Sequence, residues 1–395
     1  MMKKRLFISI QYMEIGGVER SLLGLLDNID YSRYDVDLFI YRHSGELMQF
    51  IPSKVNLLPE IPIYSTLTRP LSQIVGEGHW KIALGRLYAK YRSNRFGKRN
   101  TNGENYSIFQ YVADMTTPYL PPVNDMIYDL AISFITPHNI VKDKVKAKCK
   151  IAWIHTDYSN IEIDVKQELK AWGAYDYIAA ISEDAKRAFI SKFPILSDKV
   201  VVIENILSSN FIREQALLER PKLDGDIKLL TIGRFCYPKA LDQAVRICAG
   251  LVKKGVPVKW YAIGYGDENT VRDAIEECGM HEHFIILGKK TNPYPYIAAC
   301  DIYVQPSRYE GKAVTVREAQ ILGKPVVITA FNTSTSQLID GFDGLIVPMD
   351  IDGAVDGLQS LIEDKILQEK FCRNMASTDY GNSKEVELIY DLIAT

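Results

Sequence analysis

The sequence lacks several features that would place the protein in a special class. No apolar run in its 395 residues approaches the roughly 18 residues of a membrane-spanning helix, and Leu6–Ile10 is too short for the apolar core of a signal peptide. Its six cysteines are scattered, without a Cys-x-x-Cys pair, which favours a reduced, cytoplasmic protein without a thiolate zinc site. The 47 Lys and Arg nearly balance the 49 Asp and Glu, so nucleic acid is not an expected partner.

What remains is an ordinary globular composition, with 47% hydrophobic and 24% charged residues. The chain is longer than one typical domain of about 100–150 residues, so we expect two domains. Short apolar runs alternate with helical patterns, which is typical of βα units and parallel sheets. The sequence therefore predicts an α/β protein with two doubly wound halves, in which ligands bind at the carboxyl ends of the strands.

A small polar stretch at residues 207–210 predicts the boundary between the halves. The expected domains are 1–208 and 209–380, and a final helix within 381–395 could cross back to the first half. Strands are predicted at Arg5–Ile10, Val36–Tyr41, Val55–Leu58, Leu130–Phe134, Ile151–His155, Tyr177–Ile181, Val200–Ile203, Lys228–Ile232, Val258–Ile263, Phe284–Leu287, Ile302–Gln305, Val326–Thr329 and Leu345–Val347.

The strongest motif runs from Gln305 to Ala319, where a strand should end, a loop follows and a helix opens near Val314. Gly311 lets the backbone approach a ligand, and the first amides of the helix can hold an anion. Glu318, one turn into the helix, suits a vicinal diol such as ribose, and Glu310 on the loop suits sugar hydroxyls. The alternative is a pair of solvated glutamates that the helix dipole favours.

A second motif, Ile232 to Lys239, also follows a predicted strand and precedes a helix. Gly233 permits close backbone approach, while Arg234 and Lys239 bring two cations to one strand end. Arg binds phosphate oxygens in a bidentate way and Lys supplies a point charge, so the pair suits a diphosphate leaving group. The alternative is two solvated cations on a surface loop.

Two glycine turns follow other predicted strands. Gly264-Tyr265-Gly266 lies in the second half, and Gly16-Gly17 follows the first strand of the chain. Each could bring backbone amides to a phosphate, although neither matches the full dinucleotide-binding fingerprint. The alternative is a tight βα turn that needs a positive φ.

Together, these segments resemble the retaining glycosyltransferases of family 4, the glycosyl transferases group 1. The resemblance covers most of the chain, is strongest from Lys228 to Pro348 and is weak from Pro70 to Asp129. It implies the GT-B fold, with two facing Rossmann-like domains, the donor site in the cleft and the acceptor on the N-terminal domain. The segments that carry it are Gly16–Arg20, Gly233-Arg234 with Lys239, Gly264–Gly266, and Pro306–Gly311 through Glu318.

The resemblance also implies an activity: a retaining, metal-independent hexosyl transfer from a nucleotide-diphosphate sugar to a carbohydrate acceptor. That acceptor could be lipid-linked, as in the assembly of a bacterial surface polysaccharide. In this interpretation Arg234 and Lys239 hold the diphosphate, Glu318 takes the ribose hydroxyls and Glu310 contacts the transferred sugar. The other implied donor-binding residues are Gly16, Gly17, Gly233, Gly264, Gly266, Gly311, Lys312, Ala313 and Val314.

One departure from the family is Ala240, because the family usually has Gly after the lysine; we expect this change at a helix start to have little effect. His155 ends a predicted strand and should face the ligand crevice, where the resemblance implies contact with the donor sugar or the acceptor and a catalytic role beside Arg234, Lys239 and Glu310. Glu19 is an acceptor-binding candidate. The alternatives are a histidine that serves only structural hydrogen bonds and a glutamate that faces solvent.

Other functions fit the residues less well. A glycoside hydrolase also uses two carboxylates, but it has no need of the Arg234/Lys239 pair. A non-catalytic GT-B partner of another transferase should have lost these charged residues, and a nucleotide-sugar epimerase would be recognised by its product. No metal cofactor is expected, since the triplets at residues 35–37, 224–226 and 350–352 read Asp-x-Asp away from the strand ends that carry the motifs.

An irregular basic insertion at about residues 70–129 interrupts the βα rhythm. Between residues 78 and 99 it carries seven Lys or Arg and no acidic residue. On a helix, Trp80, Leu84, Leu87 and Tyr91 form one apolar stripe flanked by bases. Such a helix could bind an anionic membrane surface, which would make the protein peripheral to the cytoplasmic face of the membrane. Alternatively, the stripe docks on the first domain.

Overall fold

The computed structural model describes residues 3–99, 104–159 and 161–394. The chain divides into two compact units, Met1–Ile206 with Ser383–Thr395, and Leu207–Asn382. The first boundary thus lies close to the position expected from the polar stretch at residues 207–210. All six cysteines are free thiols. Among the described helices, none combines the length and the apolar character that are needed to cross a membrane.

The first unit is built on a seven-stranded, all-parallel sheet in the order β3-β2-β1-β5-β6-β8-β9. A separate pair, β4 and β7, is also parallel. The elements are β1 (Lys4–Ile10), α1 (Gly17–Asn28), β2 (Tyr34–Ile40), β3 (Asn56–Leu57), α2 (Leu71–Gly76), α3 (Trp80–Gly97), β4 (Glu104–Asn105), α4 (Ser107–Thr116), β5 (Ile127–Ser133), α5 (Asn139–Lys144), β6 (Lys146–Ile154), β7 (Ile161–Glu162), α6 (Val165–Trp172), β8 (Tyr177–Ala180), α7 (Glu183–Lys192) and β9 (Val200–Val202).

The second unit has a six-stranded, all-parallel sheet in the order β12-β11-β10-β13-β14-β15. Its elements are α8 (Ser209–Ala216), β10 (Ile227–Ile232), α9 (Leu241–Lys253), β11 (Val258–Ile263), α10 (Asn269–Cys278), β12 (Phe284–Gly288), α11 (Tyr294–Ala299), β13 (Ile302–Gln305), α12 (Val314–Ile321), β14 (Val326–Thr329), β15 (Gly344–Val347), α13 (Ile351–Glu363) and α14 (Lys365–Ala376). The predicted doubly wound α/β class is confirmed in both units.

The strands form where the sequence has short apolar runs because parallel strands are covered on both faces. Five consecutive residues of β1, Leu6–Ile10, are buried. Local signals set the helix ends: the Ser182 side chain accepts a hydrogen bond from the Ala185 amide at the start of α7, as an N-cap does. Gly279 ends α10 in the left-handed conformation, with φ of 66°, which a glycine adopts without steric cost.

The last helix, α15 (Glu385–Ala394), belongs to the first unit. The ring of Tyr390 stacks on Tyr34 with 4.3 Å between centroids, and its hydroxyl accepts a hydrogen bond from the Asp30 amide at 2.8 Å. The Glu385 carboxylate accepts one from the Glu204 amide at 2.9 Å. The chain therefore returns to its first unit after completing the second.

The basic insertion is mainly helical, with α2, α3 and α4 in sequence; residues 100–103 lie outside the described residues. Helix α3 buries Ile82, Ala83, Ala89 and Ser93. The predicted apolar stripe lies on the opposite side, where Trp80, Leu84, Leu87, Tyr88 and Tyr91 are each more than half exposed. The alternative that this stripe docks on the first domain is therefore wrong, because Ile82 and three small side chains supply the packing face.

Candidate active site

In the second unit, the loop after β10 and the loop after β13 are held together by hydrogen bonds and an ion pair. The Arg308 guanidinium forms a bidentate ion pair with Asp242, at 3.0 and 2.6 Å, and also donates to the Tyr237 carbonyl at 2.7 Å. The Arg308 amide donates to the Pro238 carbonyl at 2.8 Å. The hydrogen bond to the Asp242 carboxylate raises the already high pKa of the Arg308 guanidinium, so this arginine stays charged.

Lys239 and Glu310, which sequence analysis placed on separate motifs, meet across these loops. The Lys239 Nζ lies 2.5 Å from Glu310 Oε1, and the two side chains are only 21% and 10% exposed. The same Glu310 oxygen accepts hydrogen bonds from Ser307 Oγ at 2.6 Å and from Gln305 Nε2 at 3.3 Å. Three donors therefore fix the carboxylate before any ligand binds.

The close packing of the Lys239 side chain explains why position 233 is a glycine. A Cβ on Gly233 would lie 3.3 Å from Cδ of Lys239, so the lysine side chain passes closely over the glycine. Arg234, the next residue, is exposed. Within the part of the chain that the structure describes, its guanidinium has no hydrogen-bond or ion-pair partner. The two predicted cations thus differ, since Lys239 is held by a carboxylate whereas Arg234 projects unpaired.

A chain of buried polar side chains leads from the sheet to Glu310. Tyr303 donates its hydroxyl to Gln305 Oε1 at 2.7 Å, and Gln305 Nε2 donates to Ser307 Oγ at 2.8 Å. Thr315 also donates to Gln305 Oε1, at 3.2 Å. Sequence reasoning did not assign these residues, although Gln305 and Ser307 were visible as polar residues two apart at the end of an apolar strand.

The glycines of the 264–266 turn are required by packing between loops. A Cβ on Gly264 would lie 1.9 Å from the Gly233 carbonyl oxygen, and Gly266 has φ of 132°. The Phe235 amide donates to the Tyr265 carbonyl at 2.8 Å. This supports the alternative interpretation of a tight turn with close backbone approach, and the predicted phosphate contacts of Gly264 and Gly266 stay predictions.

Gly311 differs from these glycines. A Cβ on Gly311 would meet nothing within 4 Å, so packing within the protein does not explain the residue. Helix α12 begins at Val314, and the first amides of any α-helix lack partners inside the helix. The Ala313 amide is already used, since it donates to Gln337 Oε1 at 2.9 Å. Its expected role as an anion-binding amide is therefore in competition with this bond.

Glu318 is less accessible than the sequence suggested. The residue is fully buried, and its Oε1 accepts a hydrogen bond from the hydroxyl of Tyr294 at 3.0 Å. A ribose can reach this carboxylate only if the side chains that cover it move. Sequence reasoning missed Tyr294, because a residue 24 positions away leaves no local signal.

Ala240 is a second correction. It adopts the left-handed conformation, with φ of 52°, directly after the Tyr237–Lys239 turn. A residue with a Cβ in this conformation costs roughly 1–2 kcal/mol relative to the right-handed helix, which glycine avoids. The departure from the usual glycine therefore strains the backbone next to Lys239, contrary to the expectation of a small change.

In the first unit, Gly16 and Gly17 precede and open α1. The Glu19 side chain folds back against this turn, because its Oε2 lies 2.2 Å from where a Cβ on Gly16 would be. Glu19 is buried, so the alternative of a glutamate that faces solvent is wrong. The predicted contacts of all three residues with donor or acceptor stay predictions.

His155 follows β6 with its ring against two aromatic side chains, 4.8 Å from Phe134 and 6.2 Å from Trp153 between centroids. Burial lowers the pKa of His155 to about 3, so the imidazole is neutral at physiological pH. Its Nε2 is shielded from solvent and has no hydrogen-bond partner among the described residues. The ring can therefore offer a neutral hydrogen bond to a ligand but carries no charge.

The Asp-x-Asp triplets have local structural partners. Asp37 accepts from Tyr128 at 2.7 Å, Asp224 pairs with Lys259 at 2.7 Å, and Asp350 caps α13. Across residues 3–99, 104–159 and 161–394, no group of three or more His, Cys, Asp or Glu is arranged to hold a metal ion.

Comparison with known proteins finds matches to the second unit and to the whole fold. Residues 214–378 match the family model of the glycosyl transferases group 1. The match covers most of the second unit. The chain also aligns over its length with the crystal structure of a Staphylococcus aureus TarM mutant in complex with fondaparinux, alpha-GlcNAc-glycerol and UDP, with a TM-score of 0.69, 15% identity, and 99% and 100% coverage of the two chains. This likeness shows the GT-B fold and confirms the predicted fold class.

Two curated bacterial relatives align over shorter stretches. The Escherichia coli UDP-Gal:alpha-D-GlcNAc-diphosphoundecaprenol alpha-1,3-galactosyltransferase is 29% identical over 29% of this chain and 31% of its own length. The Campylobacter jejuni N-acetylgalactosamine-N,N'-diacetylbacillosaminyl-diphospho-undecaprenol 4-alpha-N-acetylgalactosaminyltransferase is 25% identical over 55% of this chain and 59% of its own length. The chain thus spans less than two thirds of either relative.

Proposed function

We propose that the protein is a retaining, metal-independent glycosyltransferase that moves a hexose from a nucleotide-diphosphate sugar to a glycan acceptor in bacterial polysaccharide assembly. The proposal rests on two features at adjacent strand ends: the Arg234 guanidinium is exposed and, among the described residues, unpartnered, and Lys239 is held in place by its contact with Glu310. The match of this unit to the glycosyl transferases group 1 supports it.

In the proposed reaction the bond between the anomeric carbon and the diphosphate oxygen breaks, and the acceptor hydroxyl oxygen bonds to the same carbon from the same face. The hydroxyl proton passes to a phosphate oxygen of the departing nucleotide. Arg234 and Lys239 stabilise the negative charge that develops on the diphosphate, which needs no protonation to leave. One preorganised group of this kind is typically worth about 10²–10³ in rate.

Glu310 has a distinct role in this proposal. Its Oε1 is already held by Lys239, Ser307 and Gln305, so the remaining oxygen is oriented to accept hydroxyls of the transferred sugar. His155, as a neutral imidazole, supplies a hydrogen bond to the sugar or the acceptor. Glu318 binds the ribose once Tyr294 yields its contact.

We further propose that the protein works at the cytoplasmic face of a membrane. The two relatives' names specify acceptors carried on diphosphoundecaprenol, and helix α3 exposes an aromatic and aliphatic stripe among basic residues. Each basic residue near anionic headgroups contributes about 1 kcal/mol to binding. Burial of the exposed apolar groups adds to this attraction.

The donor half of the proposal is tested by NMR of the protein with UDP-, GDP-, ADP- and TDP-sugars in EDTA, without acceptor. Slow release of sugar from one donor, with the anomeric configuration retained, is expected. Isomerisation of the sugar would instead support an epimerase. Sedimentation with anionic vesicles tests the membrane half, and no binding at low salt would refute it.

A further inference from the structure

The first unit contains a cavity of about 680 Å³ that none of the sequence motifs predicted. It lies against residues at the carboxyl end of the sheet, since Gln11 follows β1 and Thr136 follows β5. Ligands of open parallel sheets bind at this end, and the volume falls within the roughly 300–1,000 Å³ of small-molecule sites. The outer wall comes from the basic insertion, through α2, α3 and α4.

The cavity has one apolar wall and one cationic wall. Leu67, Leu71, Ile108 and Val112 supply apolar surface, whereas Arg86 and Lys90 line the side formed by α3. No Asp or Glu is among the described residues that line it. A ligand that matches both walls has an apolar part and a negatively charged part.

The two cations are a turn apart on one helix face, at positions i and i+4. Like charges at this spacing destabilise a helix. Among the described residues no carboxylate pairs with either of them. Arg86 donates only to backbone carbonyls, those of Thr66 at 2.7 Å and Arg69 at 2.5 Å, which fix its position without neutralising it. An anion in the cavity would relieve this repulsion.

The cavity adjoins the exposed stripe of α3. Leu87 and Lys90 line the cavity and are themselves exposed. The polar part of the wall is fixed, because Asn105 donates to the Ser93 carbonyl at 3.0 Å. A lipid that leaves the membrane along the stripe would therefore meet apolar surface and positive charge together.

We propose that this cavity binds the phosphate-bearing end of a lipid-linked acceptor, with its first apolar carbons on the Ile108 wall and its phosphates at Arg86 and Lys90. This inference rests on the proposed transferase function and narrows its acceptor to an anionic lipid phosphate or diphosphate. It predicts that neither the phosphate nor the hydrocarbon binds well alone.

The test is calorimetric titration of the full chain with three probes: farnesyl diphosphate below its micellar concentration, inorganic diphosphate and farnesol. An excess of UDP is present throughout to occupy the proposed donor site. Farnesyl diphosphate is expected to bind at least about tenfold more tightly than either of the other probes. Equal affinity of inorganic diphosphate, or of farnesol, would overturn the proposal.

Variants locate the binding. Ile108→Trp fills the apolar wall, and Lys90→Gln removes one charge without added bulk; each is expected to weaken farnesyl diphosphate binding by about tenfold. Lys98→Gln, an equal change of charge at the end of the same helix and outside the cavity lining, should bind like the wild type. Unchanged binding in Lys90→Gln, or an equal loss in Lys98→Gln, would overturn the assignment.

A further arm separates this inference from the proposed function. Arg234→Ala should leave farnesyl diphosphate binding unchanged, and loss of binding in that variant would overturn the cavity assignment. Donor hydrolysis without acceptor, measured on Lys90→Gln, reports the transferase proposal separately, because Lys90 is not among the residues proposed to bind the donor. Hydrolysis with no lipid binding would refute the cavity alone.

Discussion

Replacement of Lys239 by Met provides the sharpest test of how the site in the second unit works. The substitution keeps the length of the side chain but removes the charge that contacts Glu310 at 2.5 Å. Glu310 would retain the hydrogen bonds from Ser307 and Gln305, so its carboxylate would not be left without donors. The structural cost should therefore be limited.

The magnitude follows from the burial of the pair. Exposed ion pairs contribute about 0–1 kcal/mol, while removal of one partner of a buried pair costs about 3–5 kcal/mol. The side chains of Lys239 and Glu310 are 21% and 10% exposed, and two other donors remain on the glutamate. We expect Lys239→Met to lower the free energy of unfolding by about 1–2 kcal/mol, as measured by urea denaturation.

The effect on turnover should be much larger than this cost implies. Loss of one preorganised charge at a developing anion lowers the rate by about 10²–10³, so kcat/KM for the donor should fall by that factor. Lys228 offers a matched control at the amino end of β10, the strand that precedes Lys239. It forms an ion pair with Asp301 at 3.0 Å, and the two side chains are 22% and 38% exposed. Lys228→Met should cost similar stability with near-normal turnover. Equal kcat/KM in the two variants would refute the reasoning.

Three further predictions concern other parts of the chain. Gly264→Ala should lower the free energy of unfolding by more than about 2 kcal/mol, because its Cβ would strike the Gly233 carbonyl oxygen. Gly311→Ala should change the free energy of unfolding by no more than about 0.5 kcal/mol but raise the KM for the donor. Burial raises the pKa of Glu168 from 4.5 to about 7, so between these pH values the folded state holds a proton that the unfolded state has lost. The free energy of unfolding should therefore fall by up to about 3 kcal/mol as the pH rises from 4.5 to 7, and Glu168→Gln should remove this decline. Leu84→Ala should weaken binding to anionic vesicles about fivefold, because roughly half of a leucine's burial energy is lost.

Each of these has its own contradicting result. A Gly264→Ala variant as stable as the wild type would mean that the two loops do not approach as closely as the structure places them. A difference in stability between Glu168→Gln and wild type that does not change with pH would refute the raised pKa. Equal vesicle binding by Leu84→Ala would exclude the exposed stripe as the membrane contact.

The sheets were largely predictable because fully buried parallel strands leave continuous apolar runs, as in β1 and β10. The helix of the insertion was predictable too, but its orientation was not. Its large apolar residues form a regular stripe, yet the buried side is the one with Ala83, Ala89 and Ser93. Hydrophobic periodicity identifies a face of a helix without telling which surface it meets.

At the candidate site, the charged residues could be found from motifs, whereas their partners could not. Lys239 and Glu310 are 71 positions apart, and nothing local indicates that they touch. The contact of Tyr294 with Glu318 depends in the same way on tertiary packing. The left-handed backbone of Ala240 was hidden because an alanine gives no sign of a positive φ.

The central claim is that Arg234 and Lys239 stabilise a nucleoside diphosphate as it leaves a sugar. It is tested most directly by following acceptor-independent hydrolysis of the nucleotide sugars by NMR in EDTA, with Arg234→Ala and Lys228→Met beside the wild type. We expect the wild type to release sugar slowly from one donor with retained configuration; this release should fall about a hundredfold or more in Arg234→Ala and persist in Lys228→Met. Wild-type hydrolysis by Arg234→Ala, or no hydrolysis of any donor by the wild type, would contradict it.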